Sequence, residues 1–213
     1  MKSNWYYYPR NASWAPHLVL EHLQLEKKRL LVDRKTQQHK STTYLELNPT
    51  GRIPTLVDGD DVIFESAAIC LHLCEKHPEG QLIPAPATSQ RATFYQWLFY
   101  LTTTVQPELM LYFYPEKYQL SPKNNKTMSQ VAEQRVGDMF ALIDKQLATH
   151  TYLVGEQLTL CDYYLFMLAH WASGFNTAPK DYVNLGRFMR LMAQHKVVKR
   201  VCEIEQTDLS YYN

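Results

Sequence analysis

Residues 48–66 read NPTGRIPTLVDGDDVIFES. Two short runs, TLVD at 55–58 and VIF at 62–64, lie either side of Gly59-Asp60. Strand-forming runs around a glycine-containing turn predict an antiparallel hairpin. Ser66 then opens an apolar segment that runs to about Lys76, where HPEG (77–80) stops it. The hairpin is therefore followed by a helix.

Toward the N-terminus, TYLELNP (43–49) reads as a short helical piece after a polar stretch, 34–43. RLLVD (29–33) reads as a strand. A helix is expected from Trp14 to about Glu26, with Pro16 in its first turn, where the missing N–H costs little. WYYY (5–8) reads as the first strand, ended by Pro9. The order β-α-β, helical piece, β-β-α implies a right-handed first crossover with parallel leading strands, then an antiparallel pair. Residues 1–80 thus form a small mixed sheet with helices, the pattern of a thioredoxin-like α/β domain.

Toward the C-terminus the character changes. LIPAPATS (82–89) lacks periodicity, and residues 81–87 read as a linker. Beyond it, 88–213 is expected to be an all-α domain, with helices at about 88–112, 127–149, 159–172, 184–194 and 195–203. Thr159 and Asp162 have capping-box spacing at the head of the third.

Composition bounds the function. The 213 residues are 46% hydrophobic, enough for a sizeable core. The 22 Lys and Arg nearly cancel 21 Asp and Glu, so net charge gives no general drive toward nucleic acid or an anionic membrane. No stretch approaches a membrane-spanning apolar run, and MKSNWYYY has no signal-peptide character. Four cysteines, at 70, 74, 161 and 202, do not form a disulfide framework, so a reducing cytoplasm is the expected compartment. Cys70 and Cys74, near His72 and His77, lack a second ligand pair at metal spacing and read as buried apolar cysteines; no metal is expected.

Ser13, in NASWAPHL (11–18), stands just before the first helix. It reads either as an N-cap or as a hydroxyl that does chemistry. The aromatic runs FYQWLFYL (94–101) and LMLYFYP (109–115) have core periodicity with a further face that suits an apolar ligand.

Three segments carry a family likeness. NPTGRIPTLVDGDDVIFESAAICLHL (48–73) resembles the glutathione-site segment of cytosolic glutathione S-transferases. YLVGEQLTLCDYYLF (152–166) resembles the capping-box segment of their helical domain, and YYYPRNASWAPHLVL (6–20) resembles the first strand and helix of the bacterial beta class. The resemblance implies the glutathione S-transferase fold: a thioredoxin-like domain followed by an all-α domain. It also implies a cis Ile53-Pro54 bond that presents the main chain of Ile53 to an extended peptide. Ser66, by hydroxyl and N–H, would hold the γ-glutamyl carboxylate at a helix N-terminus, with Glu65 on the ammonium.

Catalysis would be attack of the glutathione thiolate on a small hydrophobic electrophile. Ser13 would stabilise the thiolate, with Tyr7 and Tyr8 as alternative hydroxyl donors. The beta class carries a cysteine where this chain has Ala12 and a histidine where it has Gln106, which leaves a serine-type mechanism. Tyr7, Gln106 and Trp171 are candidates for the electrophile pocket, with Phe175 nearby. A homodimer is implied, with glutathione as substrate. The rival readings are a non-catalytic ligand carrier or interaction module, and a glutathione-dependent isomerase or dehalogenase.

Overall fold

The structure, a computed structural model, describes residues 3–118 and 121–212. The contacts divide the chain into two units. One holds the residues up to Leu82 together with His195–Tyr211, and the other holds Ile83–Gln194 with the last residues.

The first unit is built on a four-stranded sheet, in order β2-β1-β3-β4. The strands are β1 (Ser3–Tyr7), β2 (Lys28–Leu31), β3 (Thr55–Asp58) and β4 (Asp61–Phe64). β1 runs parallel to β2 and antiparallel to β3, and β4 is antiparallel to β3. Asp58 pairs with Asp61, so the β3–β4 loop is Gly59-Asp60, with Gly59 in the left-handed region at φ 71°. Alternation along β1 sets the two faces of the sheet. Trp5 pairs with Leu56, and both have no exposed surface. Tyr6 and Tyr8 pack instead with Val32, Tyr44 and Ile53.

Three helices complete the βαβ-ββα core: α1 (Trp14–His22), α2 (Thr42–Leu47) and α3 (Ser66–Lys76). α2 is capped by Ser41, whose hydroxyl accepts the Tyr44 N–H at 3.3 Å. α1 stops four residues before the expected Glu26. Gln24 takes the left-handed φ of 53°, while Leu25 N–H bonds Leu20 C=O and Gln24 N–H bonds Glu21 C=O. That is a Schellman end with glutamine at the position where glycine is usual, so no local stop signal marks it.

Every residue of α1 from Trp14 to Leu20 is buried. α3 covers one part of it and a late helix, α9 (Lys196–Glu205), another. Val197, Val198, Val201 and Cys202 form the buried face of α9. Residues 195–211, expected within the helical domain, therefore pack with the first unit. Sequence proximity to the other helices concealed this, because an amphipathic face does not name its partner.

The second unit contains α4 (Ser89–Phe99), α5 (Gln106–Phe113), α6 (Pro122–Leu147), α7 (Leu160–Trp171) and α8 (Val183–Gln194). The single helix expected at 88–112 is interrupted by a π-helical turn, Tyr100–Val105. There Thr102 and Thr103 hydroxyls bond the carbonyls of Leu98 and Phe99. α6 begins earlier than expected, because Ser121 caps it and Pro122 suits the first position. α7 is buried from Leu160 to Ala169 and forms the centre of this unit. The Asp162 carboxylate accepts the Thr159 N–H at 2.7 Å and the Leu153 N–H at 2.8 Å. Among the described residues no helix is long and apolar enough to cross a membrane.

Candidate functional site

Register brings three chain segments to one end of the sheet. Tyr6 pairs with Thr55, and Thr55 with Phe64. The loop that leaves β1, the residues that enter β3 and the junction from β4 into α3 therefore meet there.

The loop after β1 is a tight, heavily bonded turn. Asn11 N–H bonds Tyr8 C=O at 3.3 Å, and Trp14 N–H bonds Asn11 C=O at 2.9 Å. Arg10 sits in the left-handed region at φ 57°, and its N–H donates to Glu205 Oε2 at 2.7 Å. Ser13 does not cap α1 through its side chain. Its hydroxyl donates to Tyr8 C=O at 2.7 Å and accepts the Tyr8 N–H at 3.3 Å, and the residue has no exposed surface. Ser13 thus closes the turn on Tyr8. Asn11 Oδ1 accepts the Ala12 N–H at 2.7 Å, which fixes the carboxamide and leaves its amino group without a partner among the described residues.

Ahead of β3, the Ile53-Pro54 peptide is cis. The main-chain N–H and C=O of Ile53 have no hydrogen-bond partner among the described residues, although Ile53 is 8% exposed. Buried main-chain groups are otherwise almost always paired. The neighbouring segment is firmly held: Arg52 C=O accepts from Tyr44 Oη at 2.7 Å and Asn48 Nδ2 at 2.9 Å. Both side chains also reach Thr55 Oγ1. Burial pushes the Tyr44 hydroxyl above its ordinary range, so it stays a donor. Tyr44 and Asn48 escaped the sequence reading. Their only signal is TYLELNP, which marks a short helix without saying what it faces.

At the third segment, Glu65 precedes α3 with φ 72° and ψ 120°. A side-chain-bearing residue held there carries strain of about 1–3 kcal/mol, of the kind that collects at ligand sites. Ser66 is buried, and its hydroxyl donates to Ala12 C=O at 2.8 Å, so that hydroxyl ties α3 to the turn. Ile69 N–H bonds Glu65 C=O, which leaves the N–H groups of Ser66, Ala67 and Ala68 as the open donors at the positive end of α3.

The pocket candidates fall in different units. Tyr7 belongs to the first, with its ring 6.2 Å from that of His17. Gln106 and Trp171 belong to the second. Gln106 Oε1 accepts from Tyr164 Oη at 2.7 Å, so the Gln106 side chain is oriented by a buried tyrosine. Phe175 packs on Tyr112 with centroids 4.5 Å apart. All four cysteines are free and buried, and burial pushes Cys74 and Cys202 up to about 12. His72 pairs with Asp58 at 3.0 Å, together with Lys27 and Lys76. Among the described residues no group of three metal-binding side chains assembles.

Comparison with known proteins bears on this arrangement. Residues 11–76 match the family model of the glutathione S-transferase N-terminal domain, and residues 94–196 match that of the C-terminal domain. Glutathione S-transferase 1 of Dianthus caryophyllus is 31% identical over 160 residues, covering 73% of this chain and 70% of the relative. A glutathione S-transferase from Xylella fastidiosa superposes with a TM-score of 0.89 at 24% identity, over 97% of this chain and 100% of that one. A glutathione transferase homologue from Sulfitobacter, solved with bound glutathione, gives a TM-score of 0.87 at 22% identity, over 95% and 98% of the two chains.

Proposed function

Because the chain belongs to the glutathione S-transferase family, we propose that it binds glutathione at this end of the sheet and transfers it to a small apolar electrophile. The observation that carries the reading is the unpartnered main chain of Ile53 at the same sheet end as the open N-terminus of α3. Ile53 would pair with the cysteinyl unit of glutathione as a short added strand. The γ-glutamyl carboxylate would sit on the N–H groups of Ser66 and Ala67, where the helix dipole favours an anion. Glu65, exposed at that junction, would meet the γ-glutamyl ammonium. The Ser66 hydroxyl, donating to Ala12 C=O, acts on the turn rather than on the ligand.

These contacts bring the thiol to the β1–α1 turn. A free thiol of this type has a pKa of about 8.5, and one charge-assisted hydrogen bond of about 1.5–3 kcal/mol lowers it by about 1–2 units. The Asn11 amino group supplies that donor, while Ser13 holds the turn in place as a positioning residue. The thiol proton leaves to solvent. The sulfur lone pair forms the new C–S bond, and the leaving group departs with its own electron pair. Tyr7 in the first unit, and Gln106 and Trp171 in the second, are each candidates for contact with the electrophile, and the assembly is a homodimer in the cytoplasm.

A carrier without turnover is the second reading, favoured by the Ser13 hydroxyl bond to Tyr8. Calorimetry with reduced glutathione, followed by conjugation of 1-chloro-2,4-dinitrobenzene, separates the readings. Binding with turnover supports the transferase, binding without turnover supports the carrier, and no binding of glutathione sinks the transferase.

A further inference from the structure

Glu205 is the last residue of α9 and is 4% exposed. Its Oε1 lies 2.6 Å from His17 Nδ1, and its Oε2 accepts the Arg10 N–H at 2.7 Å. A carboxylate in this place is doubly disfavoured: it is buried, and it stands at the negative end of a helix dipole. The rest of the buried face of α9 is aliphatic or thiol, so stability alone would favour an apolar residue here. The carboxylate is nevertheless held firmly. Gln206 takes the left-handed φ of 53°, and Thr207 N–H bonds Cys202 C=O at 2.8 Å, which fixes the helix end.

We propose that Glu205, oriented by His17, is a positioning residue for thiolate formation: it fixes the Arg10 amide and through it the direction of the Asn11 carboxamide. This rests on the transferase reading above. Arg10 lies between the two anchors of the turn, Tyr8 and Asn11, and its left-handed backbone is uncommon for a side-chain-bearing residue. Glu205 bonds its N–H from outside the turn, from 195 positions away in sequence. The Arg10 N–H belongs to the Pro9–Arg10 peptide, so without that bond this peptide can reorient; the turn is then held at the Asn11 N–H only by the 3.3 Å bond to Tyr8 C=O, and the Asn11 donor loses its aim.

The test compares E205Q, E205D and E205A in the full-length protein. The readouts are glutathione affinity by calorimetry, the pKa of bound glutathione from thiolate absorbance against pH, and thermal stability. Glutamine can accept from Arg10 N–H and donate to His17 Nδ1 once the imidazole proton moves to Nε2, so E205Q should keep both constants within about twofold. E205A should raise the thiol pKa by about one unit and the glutathione Kd about tenfold, as expected for one lost hydrogen bond to a charged group. E205D, one methylene too short to span both partners, should shift the pKa in the same direction. A folded E205A with a lowered Tm and an unshifted thiol pKa overturns the proposal and makes Glu205 a brace only. If E205A does not fold, E205D is read by the same criterion.

A wild-type protein that binds no glutathione sinks the transferase reading instead. Hydrogen exchange at the Arg10 amide then decides the clamp by itself. Protection in wild type that is lost in E205D keeps it, and equal exchange overturns it.

Discussion

The Ser66 hydroxyl donates to the Ala12 carbonyl at 2.8 Å, across 54 positions of sequence. This bond joins the N-terminus of α3 to the turn that leads into α1, so the two halves of the candidate glutathione site share one rigid link. Replacing Ser66 by Ala removes the link and leaves the Ala12 carbonyl unpaired, but keeps the Ser66 N–H. The expected result is a loss of about 1–3 kcal/mol of stability, with glutathione affinity reduced several-fold but not abolished. Thermal melts and calorimetry on the same preparation measure both. A variant that binds no glutathione at all would show that the hydroxyl touches the ligand directly.

Ser13 and Asn11 should separate by their kinetic signatures. Asn11→Ala should raise the apparent pKa of kcat/KM by about 1–2 units, the worth of one hydrogen bond to an anion. It should leave Tm nearly unchanged, since the lost carboxamide bonds only the adjacent Ala12 N–H. Ser13→Ala should lower Tm as well, because it strips the Tyr8 N–H and C=O of a buried partner. An Asn11→Ala enzyme with an unshifted pH profile, beside a Ser13→Ala enzyme with a shifted one, would return the thiolate contact to Ser13.

Burial of Asp162 should make the stability of the helical unit depend on pH. Burial raises its carboxyl from 3.8 to about 6, so folding favours the protonated form. The stabilisation is fully present below the unfolded value near 3.8 and is lost as pH rises through about 6. Relative to Asp162→Asn, which adds a penalty independent of pH, wild type should lose about 3 kcal/mol between pH 3.8 and 6. Urea unfolding of both proteins across that range measures the difference. A flat difference would show that the hydrogen bonds from Leu153 and Thr159 hold the carboxylate ionised throughout.

The cysteines should be silent in the native state. Cys70, Cys74, Cys161 and Cys202 are all buried, with thiols pushed upward by burial. Thiolate is the reactive form, so a chromogenic disulfide reagent at neutral pH should label none of them in the folded protein. In denaturant it should label all four. Fast labelling of a native cysteine would point to a local opening that the packing does not provide.

Local chemistry made much of this protein legible. Gly59-Asp60 between two strand runs fixed the hairpin, and the loss of strand signals after LIPAPATS marked the change to helices. Turn, cap and periodicity are properties of near neighbours, which is why the elements were legible; the family entered separately, through the resemblance of residues 48–73, 152–166 and 6–20 to segments of glutathione S-transferases. Helix ends set by unusual residues were less legible. Gln24 closes α1 in a conformation usually given to glycine, and no local rule flags it.

The destinations of individual side chains lay beyond the sequence. Ser13 read equally well as a cap or a catalyst, and its hydroxyl turned out to bond Tyr8. Ser66 stood where a ligand-binding hydroxyl belongs, and it bonds Ala12. Glu205 carried no signal at all, yet it holds the Arg10 amide of the turn. A hydroxyl or carboxylate satisfies whichever donor or acceptor packing brings within 3 Å. That partner is chosen by contacts between residues far apart in the chain, so the sequence determined the elements and their order, and only the tertiary structure decided which polar groups were spent on the scaffold and which, like the main chain of Ile53, stayed without a partner among the described residues.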